Sequence, residues 1–324
     1  MKSRHHIFLA VLFAVVIVTL VPLPSFAQRY PDHPVQFVIA NVAGASMDIT
    51  GRMLASELEK ILGQKVIPTN KPGASAVLGT DAVVKAKKDG YTLLYTSVSG
   101  LTFAPVTNPE IVHYDPAKDL EFLGLHYAFP SGINVRTDSP WKSFSELIDY
   151  AKKNPAKVRV STTGVGSVPH FMLEMIQVMT GAQFTHVPFE GGESVVTAVL
   201  GGHVEASCDA YAKVSPHVDT GKIRVLLTNR KIPAHPQIPT ITELGYKQNL
   251  PNSWFGLLAP AGIPEEAKKV LVPAAEKAIK NTKAKIEQIW GICEYKSPSE
   301  FKAMWEEEYK RVYETAVKIG LRKP

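Results

Sequence analysis

The stretch Val158-Arg-Val-Ser-Thr-Thr-Gly-Val-Gly-Ser-Val-Pro-His-Phe171 decides the fold of this chain. Residues 158–160 read as a β-branched strand, and residues 161–167 as a turn built from glycine and hydroxyls. Val168, Phe171, Met172, Met175, Ile176 and Met179 then recur at helical spacing until Gly181 stops the helix. A Met and Phe stripe of that period is core packing rather than a cofactor box. A second unit of the same composition lies upstream. Val35-Gln-Phe-Val-Ile-Ala40 is a strand, Asn41-Val-Ala-Gly-Ala-Ser46 a turn, and residues 47–62 a helix closed by Gly63.

Short strands and helices alternate around these two units. Strands are predicted at 65–68, 92–96, 183–187, 204–207 and 222–228, and helices at 76–87 and 194–200. Ser143-Phe-Ser-Glu146 is a capping box, in which hydroxyl and carboxylate satisfy each other's backbone amides, and Asn154-Pro155 ends that helix. The last third reads as helical, opening at Pro264 and again at a second capping box, Ser297-Pro-Ser-Glu300. Such alternation predicts α/β units, each a mostly parallel sheet flanked by helices. A length of 324 residues suits about two of them. The chain is expected to cross between the two near residues 129–136 and 254–259.

Apolar residues at 45% and charged ones at 20% exclude a disordered chain. Lys2 and Arg4 precede an uncharged run over residues 7–21, and small residues follow at Ser25 and Ala27. That order is a secretory signal cleaved after Ala27, since the run is short for a hydrocarbon core of ~30 Å. Without it the chain keeps 34 basic against 30 acidic residues. An unclustered surplus of that size is no nucleic-acid footprint. Cys208 and Cys293 lack metal-type spacing and are expected as separate buried thiols.

Both turns place glycine and hydroxyls at a helix start, where unpaired N–H groups and the positive dipole end accept an anion. The alternative is plain capping by Ser46 and Asp48. Neither turn holds Lys or Arg, and Arg52 sits one turn inside its helix. Amides and hydroxyls would therefore hold the anion, which suits a small monocarboxylate or dicarboxylate better than a nucleotide. Gly164-Val-Gly166 lacks the third glycine of a dinucleotide fingerprint, and no Walker lysine follows. There is no Gly-x-Ser-x-Gly elbow or His-Glu-x-x-His, and the histidines are scattered without ligand spacing. No catalytic residue, metal or cofactor is therefore expected. His170 is either structural or part of a pocket, and Asp209, after the strand at 204–207, either faces a cleft or caps a turn.

Tyr30-Pro-Asp-His-Pro-Val35, Asn70-Lys-Pro-Gly-Ala74, Asp89-Gly-Tyr-Thr-Leu93 and Tyr114-Asp-Pro-Ala-Lys-Asp119 occur in that order. Downstream come the loop of residues 161–170 ending in histidine, His186-Val-Pro-Phe189, Gly201-Gly-His-Val204 and Ser253-Trp-Phe-Gly-Leu-Leu-Ala-Pro-Ala-Gly262. Together they resemble the signature segments of the extracytoplasmic solute-binding receptors of tripartite tricarboxylate transporters, the Bug family. The resemblance spans nearly the whole chain after residue 27.

The resemblance implies a two-lobed periplasmic-binding-protein (Venus-flytrap) fold that closes over a small carboxylate ligand. It implies delivery to the membrane permease subunits of a tripartite transporter, by a monomer in the periplasm, without enzymatic activity. Domain one would be residues 28–130 plus 256–324, and domain two residues 131–255. The ligand-binding residues expected are Gly44, Ala45, Ser46, Asp48, Ser97 and Ser99 from the first lobe. Thr163, Gly166, Ser167, His170 and Asp209 are expected from the second. Gly44 and Gly166 would allow close approach, the hydroxyls would donate, and Asp48 would cap and orient the first helix. One departure stands out: the family's P-F-x-P-G-G-x-x-D becomes Ala40-Asn-Val-Ala-Gly-Ala-Ser-Met-Asp48, with a methyl at Ala45 in place of the second glycine. Two other roles stay open, presentation of a ligand to a sensor kinase and a secreted hydrolase on the same scaffold.

Overall fold

The computed structural model of the chain describes residues 30–189 and 192–323. The secretion signal expected over residues 1–27 lies outside them. The described residues build two five-stranded sheets of one plan, covered by helices.

The first sheet is assembled from β1 (Val35–Ile39), β2 (Val66–Asn70), β3 (Thr92–Ser97), β4 (Leu120–Phe129) and β10 (Ser253–Pro260), in the order β2-β1-β3-β10-β4. The second holds β5 (Ser131–Arg136), β6 (Val158–Thr162), β7 (Phe184–Pro188), β8 (Ala206–Ala210) and β9 (Ile223–Thr228), in the order β7-β6-β8-β5-β9. In each sheet one strand, β10 or β5, runs antiparallel to both neighbours while the others share a direction. The odd strand is the one that has just arrived from the other sheet. The first crossing is Pro130, between β4 and β5, and the second falls between Thr228 and Ser253.

Asn229 ties the crossings together. Its Oδ1 accepts from Ser131 N at 2.8 Å, its Nδ2 donates to Pro251 O at 2.7 Å, and its own amide donates to Ser131 O. Glu308 pins the returning strand from the other side. It lies on α10 (Pro298–Lys318), accepting from Asn252 N at 2.8 Å and Trp254 Nε1 at 2.5 Å. Burial pushes this carboxyl up to about 7, although both hydrogen bonds favour its charged form.

The helices follow the residue pattern. α1 (Ser46–Leu62) buries Met47, Leu54 and Leu58 and ends at Gly63, whose left-handed φ of 68° lets its amide reach Glu59 O. α5 (Phe144–Lys153) begins at Ser143, whose hydroxyl accepts from Glu146 N, and α10 begins at the Ser297–Glu300 capping box. The helix expected at 76–87 is shorter, α2 (Val77–Val84): Ala76 takes a positive φ just before it, and residues 85–87 lie beyond its end. The strand expected at 204–207 lies two to three residues later, so Cys208 and Asp209 stand inside β8. Cys208 and Cys293 are free thiols, the first buried in the second lobe and the second packed on the first-lobe core.

A buried polar chain crosses the first sheet. Thr50 Oγ1 lies 3.2 Å from both Tyr95 OH and Tyr127 OH, and Tyr95 OH lies 2.7 Å from His126 Nδ1. His126 Nε2 in turn reaches Thr282 Oγ1 at 2.8 Å, on α9 (Glu265–Glu287). It locks the helix that carries the first glycine turn onto the sheet and the opposite helix layer, because each buried polar group depends on the next.

Candidate functional site

In open α/β sheets, binding sites form beyond the carboxyl ends of parallel strands, where the chain turns into a helix. β1 and β3 are parallel neighbours in one sheet, as β6 and β8 are in the other. Every residue expected at the site lies at one of these four ends. The two sets meet. A π-helical turn, Ser99–Phe103, follows β3, and Phe103 packs on Phe171 of α6 (Val168–Thr180) with centroids 5.1 Å apart. Val168 and Phe171 belong to the first lobe's hydrophobic cluster although their helix starts from the second sheet. A Cβ built on Gly166 would stand 3.8 Å from Thr107 of the first lobe.

The first turn is organised by Asp48. Its Oδ2 accepts from Gly44 N at 2.9 Å, while its Oδ1 accepts from Arg52 Nε and Asn70 Nδ2, each at 2.8 Å. Burial alone would raise the Asp48 carboxyl, but the Gly44 amide, Asn70 and Arg52 outweigh it and lower the pKa. Gly44 takes φ +82° with nothing within 4 Å of a built Cβ, so the left-handed backbone, not space, demands glycine there. Ala45 is in ordinary extended backbone, φ −70° and ψ 160°, which any residue adopts. As the N-cap it offers no side-chain hydrogen bond. The amides of Ser46, Met47 and Asp48 consequently have no partner among the described residues. Ala45 thus adds a methyl at the N-cap without adding a cap hydrogen bond.

The second turn is different. Ser167 caps α6, accepting from His170 N, and its hydroxyl donates to Gly164 O at 2.7 Å. His170 is 6% exposed; its Nδ1 accepts from Gly166 N at 3.1 Å and its Nε2 lies 3.6 Å from Glu174 Oε1. Ser167, Gly166 and His170 therefore spend their polar groups on the loop itself, and Pro169 carries no N–H. The hydroxyls of Ser46, Ser97, Ser99 and Thr163 have no hydrogen-bond partner among the described residues and are the donors available. Asp209 is 4% exposed; Oδ1 accepts from Ala210 N at 2.7 Å, and Oδ2 is buried without a partner. Burial pushes its carboxyl up to about 6.

Reading the chain alone missed Asn70, which holds Asp48, and the pair Thr162 and His186, which supports the second turn. Asn70 stands in the Asn70-Lys-Pro-Gly-Ala74 segment and His186 in His186-Val-Pro-Phe189, so both were marked by motif but without a role. Among the described residues no group of three His, Cys, Asp or Glu side chains is placed to hold a metal ion. None of their helices is long and apolar enough to cross a membrane.

Two lobes of one plan, joined by crossing strands and turning their strand ends toward each other, define the periplasmic-binding-protein fold. Residues 50–290 match the model of the tripartite tricarboxylate transporter family receptor, and the chain belongs to that family. It is a family of solute-binding receptors, not of enzymes. The chain is 36% identical over 284 residues to the UPF0065 protein in the gbd 5' region of Cupriavidus necator, covering 86% of this chain and 85% of that one. It is 32% identical to BugT of Bordetella pertussis, covering 74% of each. Among solved structures, the TctC solute-binding protein from Polaromonas with no ligand superposes with a TM-score of 0.82 at 28% identity, over 89% of this chain and 99% of that one. R. palustris Rpa4515 with adipate gives 0.69 at 25% identity over 90% and 98%, and MatC from Rhodopseudomonas palustris with bound malate 0.67 at 25% over 88% and 99%.

Proposed function

We propose that this receptor works in the periplasm, after loss of residues 1–27, as a monomer that captures a small carboxylate between its lobes and passes it to tripartite permease subunits. In this reading the lobes are residues 28–130 plus 256–324 and residues 131–255, although β10 pairs with the first sheet from Ser253 onward. The observation that carries it is the open end of α1: three unpartnered amides beside a turn held rigid by Asp48. A carboxylate oxygen there gains charge-assisted hydrogen bonds and the helix dipole without a basic side chain. Ser46, Ser97, Ser99 and Thr163 offer hydroxyls, Gly44 and Gly166 give the turns their shape, and Ala45 lines the N-cap. Asp48, Ser167 and His170 hold that frame, and Asp209 closes its far wall.

The relatives support the ligand class, since one solved neighbour carries adipate and another malate. A thermal-shift screen against mono- and dicarboxylates tests the function. A true ligand at 100 times its Kd adds about 2.7 kcal/mol of stability. A panel in which no carboxylate shifts the melting temperature counts against the proposal.

A further inference from the structure

The second glycine turn is held by a pair of histidines. His170 Nδ1 accepts the Gly166 amide, and an amide can only donate, so His170 is a neutral ring with its proton on Nε2, toward Glu174. His186, on β7, stacks on it with centroids 4.2 Å apart and planes 20° from parallel. The register that pairs Val160 with His186 puts this ring next to Thr162, and His186 Nε2 lies 2.6 Å from Thr162 Oγ1. That hydroxyl accepts the Gly164 amide at 3.3 Å. Both glycine amides thus end on one imidazole stack, Gly166 directly and Gly164 through Thr162. Gly164 and Gly166 sit at φ +113° and +78°, so the glycines permit the turn and the histidines hold it.

We propose that the His170–His186 stack is the positioning element of the solute site, and that capture requires a neutral His170. A proton on Nδ1 would replace the acceptor for Gly166 by a second donor, release the turn and weaken binding. This regulation rests on the solute-capture reading above. The titratable groups facing His170 are Glu174, one turn along its own helix, and His186 from β7; the group facing His186 is His170. Burial, aided by the neighbouring ring, pushes His170 down to about 4, and burial lowers His186 as well, so both are neutral at pH 7.

The test uses the full secreted chain with 15N-labelled histidine and glycine. Imidazole spectra should show His170 as the Nε2–H tautomer, and the Gly166 amide should titrate together with that ring. In His170→Asn the side-chain oxygen takes the place of Nδ1 and cannot be protonated. At pH 7 that variant should bind malate more tightly than His170→Gln, and its Kd should change less than the parent's between pH 7 and pH 4, the range in which malate's own carboxylates also titrate. In His170→Gln the acceptor is displaced, and malate binding should weaken about tenfold, the equivalent of one lost hydrogen bond. An Nδ1–H tautomer, a Gly166 amide indifferent to His170, or a His170→Asn protein as acid-sensitive as the parent would each overturn the proposal. Should the parent fail to bind malate while the Gly166 amide still follows His170, the choice of ligand is at fault and the positioning role stands.

Discussion

The amide of Gly44 donates to Asp48 Oδ2 at 2.9 Å, so the turn that leads into α1 is tied to the helix it precedes. The other oxygen of Asp48 gathers Arg52 and Asn70. Truncation in Asp48→Ala leaves the Gly44 amide and Asn70 without their acceptor at a position only 5% exposed, at about 1–2 kcal/mol each, while the exposed Arg52 rehydrates. Urea unfolding should show a loss of about 2–4 kcal/mol, partly restored in Asp48→Asn, which keeps an acceptor for Gly44. A variant as stable as the parent would mean that Asp48 does not organise this turn.

Arg52 is the cation nearest the open helix end in sequence, yet it is committed to Asp48 and Asn70 and its side chain is 45% exposed. Exposed pairs of this kind contribute up to about 1 kcal/mol. Arg52→Ala should therefore cost no more than that in stability and about threefold or less in Kd by calorimetry. A loss of binding altogether would make Arg52 a direct ligand contact.

Stability should depend on pH through Glu308 with an unusual sign. Its folded pKa of about 7 lies above the ordinary carboxylate value of 4.5, so the folded state holds the proton longer. The contribution is fully present below pH 4.5 and is lost as pH rises through 7. Relative to Glu308→Gln, which does not titrate, the parent should lose roughly 3 kcal/mol between pH 4.5 and pH 8. Denaturant unfolding at the two pH values, read through Trp254 and its neighbours, checks it. A difference that is constant with pH contradicts a buried, raised carboxyl at the crossing.

A two-lobed receptor that captures its solute between the lobes should close on it. Asn229 and Glu308 fasten the crossing strands, leaving rotation about them as the soft motion. Saturating ligand should lower the radius of gyration in small-angle scattering. The same value with and without ligand would speak against a flytrap.

Much of the fold was legible because local chemistry and tertiary packing agree. Gly63 and Gly181 stop helices by taking left-handed backbone, and the Ser297–Glu300 capping box and the Ser143 hydroxyl start helices where they stand, although Glu146 accepts from Lys142 N and not from Ser143 N. Ala76 misled because alanine favours helix intrinsically, whereas the turn before α2 holds Ala74, Ser75 and Ala76 at positive φ. The π-helical turn at Ser99–Phe103 carries buried residues on all sides, which erases the period that would have announced it. For the site, the strand ends and turns were legible, but the roles within them were not. His170 stays open between structure and pocket in the sequence, and only the pairing of β6 with β7 brings His186, sixteen positions on, against its ring. Ser167 reads as a donor until its hydroxyl is found spent on Gly164. Such assignments depend on contacts between elements, which no local pattern encodes.

The central claim is that backbone amides and hydroxyls, not a basic side chain, hold a ligand carboxylate at the start of α1. Titration calorimetry with the best acid of the panel and its primary amide tests this most directly. The amide places an NH2 where an oxygen accepted hydrogen bonds, so donor faces donor. The account predicts a loss of at least ~3 kcal/mol, more than about a hundredfold in Kd. An amide that binds as tightly as the acid would contradict it.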